Sequence, residues 1–82
     1  MKYVLLLLLG VGSVFGMIDI NNATQKELRT LKGIGIKKAE AIVTYRKEHC
    51  FKRVEDLSAV RGIGKKFIAK HKDNLEVGNC HR

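Results

Sequence analysis

Two short turns stand out in this chain, and each places two glycines around one isoleucine. They read Gly33-Ile34-Gly35 and Gly62-Ile63-Gly64. Such glycines permit left-handed backbone angles, so successive amide N–H groups can point outward together at the start of a helix. The helix dipole is positive there, and the amides bind phosphate oxygens. We expect each isoleucine to anchor its turn in the core, while the missing Cβ atoms let a polyanion approach.

Basic side chains flank both turns and would add positive charge near the same phosphates. One Gly-Ile-Gly is a weak signal, because many helix connections use it, but two copies with basic flanks are more specific. No side-chain set for reading base edges accompanies them, which favours contacts to phosphate alone. The candidate phosphate-binding residues are Lys32, Gly33, Ile34, Gly35, Lys37, Lys38, Arg61, Gly62, Ile63, Gly64, Lys65 and Lys66.

Length and charge narrow the possible functions. The 82 residues carry a formal charge of +8, which indicates a polyanionic partner: nucleic acid, an anionic membrane surface or an acidic polysaccharide. A chain this short cannot enclose a substrate pocket of the usual size, so no small-molecule substrate and no cofactor are expected. No carboxylate cluster for a nuclease metal is evident, and we predict no catalytic residue and no metal site.

The turns belong to an internal repeat with an offset of 29 residues. Leu28 aligns with Leu57, Leu31 with Val60, and the first Gly-Ile-Gly with the second. One supersecondary unit is therefore used twice, and each copy buries the apolar face of the other. Glu55 and Asp56 align with helix-capping positions of the first copy, which argues against their being catalytic.

Each copy is predicted to fold as helix, tight turn, helix, which makes the fold class all-α with about four to five short helices. Thr24 and Glu27 form a capping box, and a longer helix follows from Ile36 to His49. In the second copy a helix starts at Val54 or Glu55 without a side-chain cap from Arg53, and another runs from Lys65 to about Asp73. The hairpin units span residues 24–49 and 53–73, within a domain of residues 17–82. Segments 18–20 and 75–77 alternate in polarity and are candidates for pairing.

A few other side chains admit a structural or a functional reading. We interpret His71 as a partly buried structural histidine rather than a ligand or a base. Tyr45 and Phe51 are interpreted as core residues rather than base-stacking platforms. Arg46 and Lys47 are interpreted as a solvated helix face, with a second phosphate contact as the alternative.

Cys50 and Cys80 are the only cysteines. In an oxidising compartment such a pair is more often a disulfide than a redox or metal site. His49 and His81 lie next to them and suggest zinc, but adjacent residues rarely converge on one tetrahedral ion. We expect an intramolecular disulfide, with intermolecular bonding, free thiols and zinc as alternatives.

The first 16 residues have the pattern of a secretory signal peptide. Lys2 precedes an apolar run from Tyr3 to Val11, and Val14-Phe15-Gly16 fits a small-residue cleavage site. An uncleaved membrane anchor is the alternative, although the run is shorter than the ~20 residues that a spanning helix needs. A buried core helix is the third possibility. We expect residues 1–16 to be removed and the remainder to be exported.

The chain resembles the ComEA-type competence proteins, which are exported tandem helix-hairpin-helix proteins that bind double-stranded DNA during uptake. The resemblance covers residues 18–77. It rests on Asn21-Asn22-Ala23-Thr24, Glu27-Leu28, Leu31-Lys32-Gly33-Ile34-Gly35, Lys38-Ala39, Ile42, Tyr45-Arg46, Phe51, Val54-Glu55-Asp56-Leu57 and Gly62-Ile63-Gly64. It departs from the family pattern at Ile36 and Lys65, where proline is common, at Arg53, where Ser or Thr is usual, and at His71, where a core leucine is usual.

The resemblance implies non-specific binding of double-stranded DNA in the periplasm or outside the cell. It also implies partners among the proteins of the DNA-uptake pilus or the inner-membrane channel. Two other functions stay open: a protein-interaction or dimerisation module, since tandem helix-hairpin-helix units can dimerise, and an accessory domain in DNA repair.

Overall fold

The computed structural model describes residues 17–80, and the predicted signal peptide lies outside them. The chain is mainly helical, as predicted. Strand β1 (Ile18–Asp19) precedes helix α1 (Gln25–Leu28) and the long helix α2 (Ile36–Glu48). A 3₁₀ helix (Val54–Ala59), helix α3 (Lys65–His71), a 3₁₀ turn (Lys72–Asn74) and strand β2 (Leu75–Glu76) follow. No helix among the described residues is long and apolar enough to cross a membrane.

Equivalent positions of the two repeats build one core. The pairs Leu28 and Leu57, Leu31 and Val60, Ile34 and Ile63, and Ala39 and Ile68 are all buried. Helix α1 packs on α2, and the first 3₁₀ helix packs on α3, so each copy forms a helical hairpin. Because every member of these pairs is buried, neither copy presents a separate apolar face to solvent.

The first helix of each copy is capped differently. The predicted capping box is present at α1: the Thr24 hydroxyl accepts the N–H of Glu27, and the Glu27 carboxylate accepts the N–H of Thr24. Arg53 provides no side-chain cap, as expected. Instead the Asp56 carboxylate accepts the N–H groups of Lys52 and Arg53 at 2.9 and 3.1 Å. This segment takes the tighter 3₁₀ form rather than the α form.

The two ends of the described chain meet, as their alternating polarity suggested. Strands β1 and β2 pair in parallel, with Ile18 opposite Leu75 and Asp19 opposite Glu76. The buried side chain of Asn21 donates to the carbonyls of Phe51 and Gly78 and accepts the N–H of Phe51. One amide group therefore joins the N-terminal segment, the connector between the repeats and the C-terminal segment.

Asp19 holds the C-terminal segment from the same side. Its carboxylate accepts the N–H groups of Asn21 and Gly78, both at 2.9 Å, and the side-chain amide of Asn22 at 2.8 Å. Partial burial raises the pKa of Asp19, but the hydrogen bonds from Asn22, Gly78 and Asn21 outweigh it, so the pKa lies below its usual value. The charged carboxylate is therefore the form that the fold stabilises.

We expect Asp19→Asn to lower the free energy of unfolding at neutral pH by about 1–2 kcal/mol, because an amide cannot accept all three bonds. A lowered folded-state pKa contributes stability above the unfolded value, which is lost as the pH falls through the folded one. The difference in unfolding free energy between parent and variant should therefore narrow when the pH falls below the ordinary aspartate pKa of 3.8. Urea unfolding at pH 7 and pH 3 measures this, and an equal gap at both pH values would contradict it.

Candidate nucleic-acid interface

The two Gly-Ile-Gly turns have the same backbone geometry. The first glycine of each takes a left-handed angle, with φ of 100° at Gly33 and 92° at Gly62. The isoleucine N–H then bonds back three residues, from Ile34 to Leu31 at 3.0 Å and from Ile63 to Val60 at 3.1 Å. Both isoleucines are buried, so they anchor the turns in the core as expected.

The second glycine of each turn plays a different part from the one predicted. Gly35 and Gly64 have extended backbone angles that any residue adopts, so left-handed freedom is needed only at the first glycine. Both are N-caps without a side-chain cap. A Cβ atom added at either position would meet nothing within 4 Å. The protein itself leaves this space open, and a ligand can approach the backbone there.

Free amides lie directly behind these open positions. The first hydrogen bond of α2 runs from the N–H of Ala39 to the carbonyl of Gly35 at 3.0 Å. The corresponding bond of α3 runs from Ile68 to Gly64 at 3.3 Å. The N–H groups of the first helical turn precede these bonds and have no partner within the helix. Together with the uncapped glycines, they form a donor surface suited to phosphate oxygens.

The repeats lie side by side and exchange contacts at the turns. A Cβ atom at Gly62 would lie 3.4 Å from Cε of Lys38, and one at Gly33 would lie 3.7 Å from the ring of Phe67. Lys38 and Phe67 are equivalent in the 29-residue repeat, so each turn is covered by the other copy. Lys38 follows the first turn in sequence, but its side chain extends across the second turn, because the packing of the copies determines its direction.

The remaining predicted cations are exposed around the turns. Lys32 and Lys37 flank the first turn, and Arg61, Lys65 and Lys66 flank the second. Lys37 and Arg61 line one surface groove of about 840 Å³ that runs along α2, so cations from both turns border the same depression. Of the candidate residues, Lys37 and Arg61 are the two that line this groove.

His71 lies outside the candidate set and supports the first turn. His71 is buried, packs against Phe67 in a tilted arrangement with ring centroids 4.4 Å apart, and contacts the carbonyl of Lys32 through Nε2 at 3.0 Å. It is thus the structural histidine that was expected, and it holds the backbone leading into the first turn. Phe51 is buried and stacks on the half-buried Tyr45, which agrees with a core role.

The interpretation of Arg46 as a solvated residue is wrong. Its guanidinium is partly buried and donates to the carbonyl of Ile20 at 3.2 Å, so it is a structural residue of the N-terminal junction. Sequence reasoning also missed the network of Asp19, Asn21 and Asn22. Asn21 and Asn22 were marked only by their place in the family motif, because their hydrogen bonds reach residues 30 and 57 positions away.

Comparison with known proteins agrees with this geometry. A family model described as "helix-hairpin-helix motif" matches residues 14–76, which is most of the chain. The "ComE operon protein 1" of Bacillus subtilis is 42% identical over 67 residues, which cover 80% of this chain and 33% of that protein. An uncharacterized protein of Haemophilus influenzae is 48% identical over 60 residues, which cover 71% of this chain and 54% of that one.

A third relative has a name that includes enzyme families. The human "endonuclease/exonuclease/phosphatase family domain-containing protein 1" is 49% identical over 49 residues, but these make up 8% of its length and 57% of this chain. The similarity therefore concerns a small part of that protein. The chain spans a third to about half of the length of the two bacterial relatives.

Proposed function

Because the chain belongs to the helix-hairpin-helix motif family and is of the ComEA type, we propose that it binds double-stranded DNA without regard to sequence. The binding uses the phosphate backbone. Each turn presents free amides and flanking cations to the phosphates of one strand, and the protein performs no catalysis. The physiological setting we propose is the exported machinery that takes up DNA.

The observation that carries this proposal is the pair of equivalent, uncapped turns beside each other. In both, the glycine that caps the helix leaves open space where a Cβ atom would stand. Glycine is itself a common N-cap residue, so the proposal depends on the recurrence of this open geometry in both copies next to exposed cations. Phosphate binding accounts for the glycines, the amides and the cations together.

We expect binding to duplexes of unrelated sequence with equal affinity and a steep dependence on salt. If each turn engages about two to three phosphates, about four to six counterions are released, and log K should fall with log salt at a slope of roughly −4 to −5. The dissociation constant should be on the order of micromolar at physiological salt. Fluorescence anisotropy with two equally long duplexes at several salt concentrations measures both properties. Strong preference for one duplex would contradict the proposal.

The export part of the proposal is tested separately. Cleavage after Gly16 would leave a chain that begins at Met17 and carries 15 Lys and Arg residues against 8 Asp and Glu residues. We expect intact-mass analysis of protein recovered from its host to give this processed chain in the periplasm or the medium. Recovery of the 82-residue chain in the membrane fraction would indicate an anchor instead. Loss of transformation by external DNA on gene deletion would support a role in uptake, with pilus or channel proteins as partners.

Two other functions fit the family and are distinguished by simple assays. A protein-interaction module would self-associate or bind a protein partner and would bind DNA weakly at both low and high salt. An accessory domain of a repair enzyme would act inside the cell with the export signal unused. A nuclease assay with divalent metal tests for activity of the chain itself, and we expect none.

A further inference from the structure

The two turns have the same backbone but present different side chains to the same surface. The position after the second glycine is Ile36 in the first copy and Lys65 in the second. Lys38 of the first copy lies across the second turn, and Phe67 of the second copy lies across the first. Each turn keeps two equivalent cations, Lys32 and Lys37 at the first and Arg61 and Lys66 at the second. Beyond these, two apolar side chains border the first turn, whereas two further lysines border the second.

Ile36 is the unusual member of this set. It is 58% exposed, and among residues 17–80 the only other exposed large apolar side chain is Met17 at the end of that range. A single exposed isoleucine is ordinary in itself. This one, however, is the first residue of α2, directly after the open position at Gly35 and beside Lys37. An apolar side chain at that place cannot pair with a phosphate, but it can pack on the carbon atoms of deoxyribose.

We propose that the two turns divide the binding of DNA, an inference that rests on the function proposed above. The second turn holds phosphates largely by charge, with Lys38 acting for it from the first repeat. The first turn places Ile36 against the deoxyribose carbons next to the phosphates that it binds. Every nucleotide carries the same sugar, so this contact adds affinity and no sequence preference.

The two turns should differ in the salt dependence of their contributions, because only contacts between cations and phosphates release counterions. Ile36→Ala should weaken binding roughly tenfold at every salt concentration and leave the salt slope unchanged. Lys38→Ala and Lys65→Ala should each reduce the magnitude of the slope by about 1, so that their affinities approach that of the parent at high salt. Ile36→Lys should steepen the slope by about 1 and weaken binding at high salt.

The chain offers matched controls for both kinds of variant. Met17→Ala removes the other exposed apolar side chain, and Lys72→Ala removes a lysine that pairs with Glu55 at 3.3 Å. Neither should change affinity by more than about twofold. To test the assignment of Lys38 to the second turn, we combine Lys38→Ala with Gly64→Asp or with Gly35→Asp. The effect of Lys38→Ala should disappear in a Gly64→Asp background and persist in a Gly35→Asp background.

The outcomes separate this inference from the function on which it rests. A parent protein that fails to bind duplex DNA would overturn the proposed function itself. If the parent binds and Ile36→Ala behaves like Met17→Ala, or changes the slope, the division between the turns is wrong. If the effect of Lys38→Ala disappears in the Gly35→Asp background and persists in the Gly64→Asp background, Lys38 acts for the first turn and its assignment to the second is wrong. Circular dichroism of each variant shows whether the fold is retained.

Discussion

The double substitution Gly35→Asp with Gly64→Asp is expected to abolish DNA binding while leaving the protein at least as stable as the parent. Both glycines are N-caps in extended conformation with open space at the Cβ position, so an aspartate fits without strain. Aspartate is also a better N-cap than glycine, because its carboxylate accepts the free amides of the first helical turn. Those are the donors that we assign to phosphate.

The same carboxylate would therefore compete with DNA in two ways. It occupies the amides, and it places a negative charge where a phosphate must come. We expect each single substitution to weaken binding roughly tenfold or more, and the pair roughly a hundredfold or more at moderate salt. The melting temperature should stay the same or rise. Opposite changes in stability and binding separate a binding role from a structural one, which a destabilising mutation cannot do.

Gly33→Ala with Gly62→Ala is the matched comparison. These glycines have positive φ, so alanine strains the backbone and should lower the melting temperature. Any loss of binding in this variant combines the backbone strain with the obstruction by the new Cβ atoms. The aspartate pair avoids the strain and is therefore the cleaner experiment. If the folded aspartate variant bound duplex DNA as tightly as the parent, the turns would be structural connections only, and the proposed function would be wrong.

The sequence predicted local features well, although it assigned left-handed angles to both glycines of each turn and only the first has them. The turns, the Thr24–Glu27 capping box and the buried isoleucines were predictable, because each depends on residues a few positions apart. The repeat was predictable because the same residues recur in the same order. The direction of Lys38 was not, since it depends on how the two copies pack. The same holds for Asn21, whose partners Phe51 and Gly78 lie 30 and 57 residues away. Sequence patterns therefore located the candidate site, but the assignment of side chains to each turn required the structure.

Loss of the bond between Cys50 and Cys80 is expected to have the largest effect on stability. The structure joins the two cysteines, with their Cα atoms 5.8 Å apart and a sequence separation of 30 residues. The loop that they close contains the whole second repeat. Closing a loop of this length stabilises the folded chain by about 3–4 kcal/mol in the chain-entropy model. A domain this small has only about 5–15 kcal/mol in total, so the bond contributes a large share.

We therefore expect reduction, or the double variant Cys50→Ser with Cys80→Ser, to lower the melting temperature by roughly 15–25 °C. Calorimetry with and without reductant measures this, and the reductant should have no effect on the double variant. The hydrogen bonds of Asn21 to Phe51 and Gly78 span the same junction and remain after reduction. Asn21→Ala should therefore destabilise the reduced protein more than the oxidised one, because in the oxidised protein the disulfide already holds these segments together. Equal melting temperatures of the oxidised and reduced parent would contradict this prediction.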